Sequence, residues 1–164
     1  MLRMPLAASA LIVLSACGRS AAPGAAEAAV PARGACDKSP ITQADMAPIL
    51  REAITSVRPL EGDPQSCVFT TATFTSVTVA IRPGLGKATI SDWAAGRMPL
   101  SASPLDGVGD RALWQPTLHE VIAEKADLLC DIGAAGPPEA TRAATPQRLG
   151  ALCNRIFAVG GPSS

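Results

Sequence analysis

The stretch Ser66–Arg82, SCVFTTATFTSVTVAIR, decides the fold. Valine, threonine, phenylalanine and isoleucine dominate it, the residue types that fit a pleated, half-buried surface. Val77, Val79 and Ile81 alternate with polar or small residues, so one face of the segment is prepared for a core. Ser66–Thr71 and Thr73–Arg82 therefore read as two antiparallel strands, and Pro83-Gly84-Leu85-Gly86 ends the second. A Gly-x-Gly behind a strand also raises a phosphate loop. The third glycine and the long following helix of a dinucleotide fold are missing, which leaves the turn.

On the N-terminal side, Met46, Ile49, Leu50, Ala53, Ile54 and Val57 recur at helical spacing and predict a helix. A cap at Thr42 would leave Pro48 in the interior, where proline costs about 3 kcal/mol. Asp45 as N-cap keeps Pro48 in the first turn and is the expected start. The helix should end before Pro59, with a turn at Gly62-Asp63-Pro64.

On the C-terminal side, Ser91 is placed to cap a short helix, Asp92–Gly96, followed by a broken segment to Pro104. Leu105-Asp106-Gly107-Val108-Gly109-Asp110 reads as a tight turn whose glycines supply positive φ, and Ala112–Trp114 opens a strand. Leu118–Ala123 and Leu128–Gly133 read as a second hairpin across Glu124–Asp127. Alternation is weak there, and Glu120–Leu129 also contains good helix formers, so a helical reading stays open. Residues 133–145 form a loop containing Pro137-Pro138. The last helix has Thr145 as N-cap, Pro146 at its first position, a stripe of Leu149, Leu152, Cys153, Ile156 and Phe157, and Gly160-Gly161 as its stop. Together these elements predict an α+β domain: a two-layer sandwich in which an N-terminal and a C-terminal helix pack on an antiparallel sheet of four to five strands.

The first residues follow different rules. Arg3 precedes an apolar run, Leu6–Leu14, too short for the roughly 20 residues of a membrane-spanning helix and laid out like a secretory signal. Leu14-Ser15-Ala16-Cys17-Gly18 resembles the bacterial lipobox. That resemblance implies cleavage behind Ala16, diacylation of Cys17 on sulfur and further acylation on its new amino group. Two or three acyl chains give stable anchoring where one is marginal. Gly18 stands where an aspartate would favour the inner membrane, so the implied destination is the cell envelope, on the periplasmic side of the outer membrane where the host has one. The expected organisation is a signal peptide over 1–16, a tether over 17–35 rich in alanine, proline and glycine, and a single domain over 36–164. The eighteen residues from Gly18 to Ala35 have a flexible-chain reach of roughly 20 to 25 Å.

Composition bounds the partners. Without Arg3 the chain has 13 basic and 14 acidic residues, neither sign clustered, which gives no electrostatic case for nucleic acid. Phe69, Phe74, Phe157, Trp93 and Trp114 are the whole aromatic supply, a poor one for stacking bases or sugars. With Cys17 assigned to lipid, Cys36, Cys67, Cys130 and Cys153 remain, an even number in an exported chain. Four cysteines allow three pairings. Cys36 with Cys67 and Cys130 with Cys153 is the favoured one, because each pair ties a helical region to a nearby strand. A zinc site is the rival reading, opposed by the wide spacing and the lack of a C-x-x-C pair.

An early cysteine and helix, a cysteine-led hairpin and the Gly107-Val108-Gly109-Asp110-x-Ala112-x-Trp114 turn are similar to small bacterial lipoprotein domains, some resembling extracellular sensor domains of actinobacterial kinases. The resemblance implies a two-layer α+β fold and no defined activity.

No motif spells a reaction. His119 is the single histidine, no serine lies in a G-x-S-x-G context, and a strand over Leu118–Ala123 would send His119 and Glu120 to opposite faces. Asp106 and Asp110 are spaced to hold calcium in the glycine turn, and turn chemistry accounts for them equally. No cofactor is expected. The leading reading is a non-catalytic domain that binds an envelope protein or small ligand around Asp106, Asp110 and Trp114. The alternatives are a structural lipoprotein without a ligand and a hydrolytic enzyme. An enzyme would need His119 or a carboxylate pair buried in a cleft with a perturbed pKa.

Overall fold

The computed structural model describes Cys36, residues 39–98 and residues 100–160. Cys17 and the expected signal peptide and tether lie outside the described residues. The elements are α1 (Gln43–Leu50), β1 (Ile54–Leu60), β2 (Asp63–Thr71), β3 (Ser76–Pro83), α2 (Gly86–Ala94), β4 (Ser103–Pro104), β5 (Arg111–Gln115), β6 (Glu120–Lys125), β7 (Leu128–Ala135), α3 (Pro138–Thr141) and α4 (Pro146–Gly160). The class is α+β. All seven strands join one antiparallel sheet in the order β1-β2-β3-β7-β6-β5-β4. No helix among the described residues is long and apolar enough to cross a membrane.

The sheet therefore has seven strands rather than four to five. One addition is β4, two residues paired with Leu113 and Trp114. The other is β1, whose Ile54 and Val57 belonged to the expected helical stripe. The helix stops at Leu50 because Arg51 turns left-handed at φ 57 and its N–H closes on the Ala47 carbonyl at 3.0 Å. The β-branched residues beyond it pair with β2, Val57 opposite Phe69. The helix also starts earlier than expected. Thr42 is the N-cap, and the Asp45 carboxylate accepts from the Thr42 N–H at 2.8 Å and hydroxyl at 2.7 Å. Pro48 thus lies inside this short helix.

The second hairpin is also shifted. It turns through two residues, Ala126 and Asp127, with φ of 50 and 66, the geometry of a type I′ turn. His119 falls outside β6, in a turn at φ 48. Helix α2 replaces the expected turn at Gly86 and the short helix capped by Ser91. Its first N–H groups are satisfied from that distant turn: the Asp127 carbonyl accepts from Gly86, as it does from Gly84 ahead of the helix, and the Asp127 carboxylate accepts from Lys87 at 3.0 Å. At the last helix, the Arg148 N–H donates to Thr145 Oγ1 at 3.4 Å, and the expected stripe is buried.

Side chains alternate across the sheet. Cys67, Phe69, Val77, Val79, Val121, Ala123, Cys130 and Ile132 pack with residues of α1 and α4 on one face. Leu113, Ile122 and Leu129 pack with Ile90 and Trp93 of α2 on the other. Helices on both faces make three layers where two were expected. Two disulfides pin the principal core, Cys36–Cys67 with 5.1 Å between Cα atoms and Cys130–Cys153 with 5.6 Å.

Candidate functional site

The glycine turn is built by contacts from three elements. The Asn154 side chain of α4 clamps it, donating to the Gly107 carbonyl at 2.8 Å and accepting from the Gly109 N–H at 3.0 Å. The Asp110 N–H donates to the Glu124 carbonyl at 2.8 Å, and the Asp110 carboxylate accepts from the Ala126 N–H at 3.0 Å. Val108 is buried against α4, where Gly150 makes room: a Cβ there would stand 2.6 Å from Val108 Cγ2. Asp110 therefore has a bracing duty that the sequence reading divided only between ligand binding and turn chemistry.

Between this braced turn and α2 lies a cleft of about 400 Å³. Its apolar wall comes from Ile90, Ala94, Leu105, Val108 and Leu113, and Asp106, Asp110 and Arg111 are its exposed charged residues. That volume is at the small end of ligand sites, ~300–1,000 Å³. Arg111 is held from two sides, donating to Ser91 Oγ at 3.3 Å and lying 3.9 Å from Glu124 Oε1. Glu124 is buried, and its Oε2 has no hydrogen-bond partner among the described residues.

The expected trio of Asp106, Asp110 and Trp114 is split by the sheet. Residues 111 and 113 of β5 face α2, so Trp114 faces the opposite side, packing against the principal core. Its ring meets His119 edge-on, with centroids 6.0 Å apart. His119, Thr117, Leu118 and Ala134 help line a second cavity of about 260 Å³. Among the described residues, no three of histidine, cysteine, aspartate and glutamate converge on a position suited to a metal ion.

A second polar cluster was missed in the sequence. Glu120 on β6 stands opposite Gly133 on β7, and Asp131, two residues before Gly133, is its diagonal neighbour on the α2 side of the sheet. The Glu120 carboxyl lies beside Gly133: its Oε1 is 3.8 Å from where a Cβ would be, an ordinary contact. Burial, then the Asp131 charge, push the Glu120 carboxyl up to about 8. Burial also raises Asp131, against the opposing hydrogen bond from Glu120 and the charge of Arg82. The pair consequently holds a proton where isolated carboxyls would have lost it. Nearby, Asp63 is held below its usual range by Ser66 Oγ at 2.7 Å and by Arg82 at 2.5 Å. Neither cavity described above is lined by Glu120 or Asp131.

This pair makes stability depend on pH. Its folded-state pKa values lie above the unfolded ones, so its contribution is fully present below about pH 4 and is lost as pH rises through 8. Thermal unfolding from pH 5 to 8.5 should show falling stability, and Glu120→Gln should flatten the profile and gain about 1 to 2 kcal/mol at pH 8.5, a figure discounted for partial exposure. Parallel profiles for the two proteins would remove the pair as the cause.

Comparisons with protein-family models, with curated proteins and with solved structures find no match to this chain, so the reading of the cleft rests on its own residues.

Proposed function

We propose that this chain is a lipid-anchored cell-envelope domain that works by non-covalent binding in the cleft between α2 and the glycine turn. The observation that carries the binding reading is the construction of the cleft. An apolar wall and exposed charges surround about 400 Å³, and Asn154, Asp110 and Ser91 fix the turn and Arg111 before any ligand arrives. A site whose walls are already ordered loses little freedom on binding. The fitting occupant is a small molecule, or one side chain of an envelope protein, that combines an apolar body with polar groups.

The anchor is supported by the lipobox resemblance at Leu14–Cys17 and by the even number of cysteines left once Cys17 is assigned to lipid. Cys17→Ala should move the protein out of the membrane fraction and remove acyl mass from the N-terminal peptide. Unchanged fractionation together with no acyl mass on the wild-type peptide sinks the anchor. For the cleft, a photoreactive benzoylphenylalanine in place of Ala94 should give a discrete adduct in intact cells. The same residue at the exposed Thr55, on the outermost strand, should not. Identical adducts at both positions, or none at Ala94, would overturn the reading.

A further inference from the structure

We propose that the end of the sheet carrying Phe74 and Leu118 rests on the surface of the bilayer in which the chain is anchored; this rests on the anchoring part of the reading above. Phe74 sits at the tip of the β2–β3 turn, 84 % exposed, at φ 61. Bulky side chains avoid the left-handed region, and glycine or asparagine would fill such a turn without strain. The turn is nevertheless held firmly. The Thr71 N–H donates to the Thr75 carbonyl at 2.9 Å, the Phe74 N–H to the Thr71 carbonyl at 3.1 Å, and Thr73 Oγ1 to Glu52 at 2.7 Å. An aromatic ring is thus displayed in a strained position on a fixed support, which is hard to explain as packing because the ring has almost none.

The two ends of the sheet differ in charge. At the Phe74 end, the turn 72–75, the turn 116–118 and residues 135–138 are exposed at every position except Thr75, and none carries a charged side chain; Leu118 is 46 % exposed. The ionic residues beside these segments include Arg51, Glu52 and Glu139, and Glu52 accepts from Thr73 within the Phe74 turn. The opposite end carries Asp63, Arg82, Lys87, Asp110, Lys125 and Asp127, together with the ligand cleft. An uncharged surface with a projecting aromatic and leucine suits the boundary between headgroups and acyl chains.

Reach agrees with this placement. The described chain begins at Cys36, fixed by its disulfide to Cys67, and four residues of β2 separate Cys67 from Thr71, about 14 Å of strand. The eighteen residues between Cys17 and Cys36 have a contour length of about 60 Å, well over that distance. Docked in this way, the domain turns the cleft away from the membrane toward the aqueous compartment.

The test uses the full lipidated chain in vesicles of phosphatidylethanolamine doped with a phospholipid that has a photoactivatable acyl chain. Peptide mass spectrometry reads the adducts and, separately, the acyl mass on the N-terminal peptide. Expected are adducts on the peptides containing Phe74 and Leu118, at least fivefold fewer in Phe74→Gly, whose thermal midpoint should be unchanged or higher because strain is relieved. An acylated chain with adducts confined to the N-terminal peptide, or adducts centred on Lys87 and Lys125, would each overturn the docking while leaving the anchor intact. An unacylated chain that washes off the vesicles would overturn both.

Discussion

Gly109→Ala is expected to cost about 3 kcal/mol or more in urea unfolding, whereas Gly107→Ala, two residues away, should cost only about 1 kcal/mol. Both glycines have positive φ, 57 and 76, and share the left-handed penalty of an added Cβ. Their surroundings differ. A Cβ at Gly107 meets nothing within 4 Å, while one at Gly109 would stand 2.3 Å from the Glu124 carbonyl oxygen and 2.9 Å from Phe157 Cε2. Relief requires the turn to move away from β6, which breaks the Asp110 N–H bond to that carbonyl and disturbs the Asn154 clamp. Losing those hydrogen bonds adds to the strain. Equal costs at the two positions would show that the turn is not seated on β6 as described.

Removing the Cys130–Cys153 disulfide by a double alanine substitution is expected to cost about 3.5 kcal/mol, the chain-entropy value for a separation of 23 residues. Both cysteines are completely buried, between the central strand β7 and α4, so alanine also leaves unfilled space in the core. The Cys36–Cys67 bridge spans 31 residues and ties the start of the described chain to β2. Its removal should cost a similar amount and shorten the folded region from the N-terminal side. Since a small domain has only about 5–15 kcal/mol in total, either loss should be plain in the denaturation midpoint under non-reducing conditions. A loss below about 1 kcal/mol for the buried pair would mean that α4 is held to the sheet by packing alone.

The legibility of the sequence varied with how local each signal was. The Ser66–Arg82 hairpin and the α4 helix with Thr145 and Pro146 were legible because alternation and capping are properties of neighbouring residues, and both cysteine pairings because each ties a helical region to a strand within its own half of the chain. Strand β1 was not. Its apolar positions continue the helical period of α1, and the strand exists because β2 offers a partner, a tertiary effect that outweighs local propensity. Nor was the start of α2, whose N–H groups are satisfied by Asp127, 40 residues beyond Lys87.

The second hairpin shows how one turn determines a site. Ala126 and Asp127 lack the Asn-Gly signature of a type I′ turn, so a four-residue turn was the natural expectation. That expectation trimmed two residues from the end of β6 and displaced the register by two, which would set Glu120 directly opposite Asp131 rather than diagonal to it. Part of the cleft was readable. Asp106 and Asp110 belong to it, but alternation along β5 sends Trp114 to the opposite face from Arg111. Arg111 and Glu124 were the signal passed over, since both face α2 on neighbouring strands.

Binding in the cleft beside α2 is the core of the proposed function. Its most direct test is an amide NMR titration of the ¹⁵N-labelled full chain with a small-molecule extract of its own cell envelope, followed over hours. The account predicts shifts at Ile90, Ala94 and residues 107–112 that are lost in Ala94→Trp, with the extract unchanged in composition. Shifts centred on Glu120 and Asp131, joined by signals of a new product that Glu120→Gln abolishes, would contradict it.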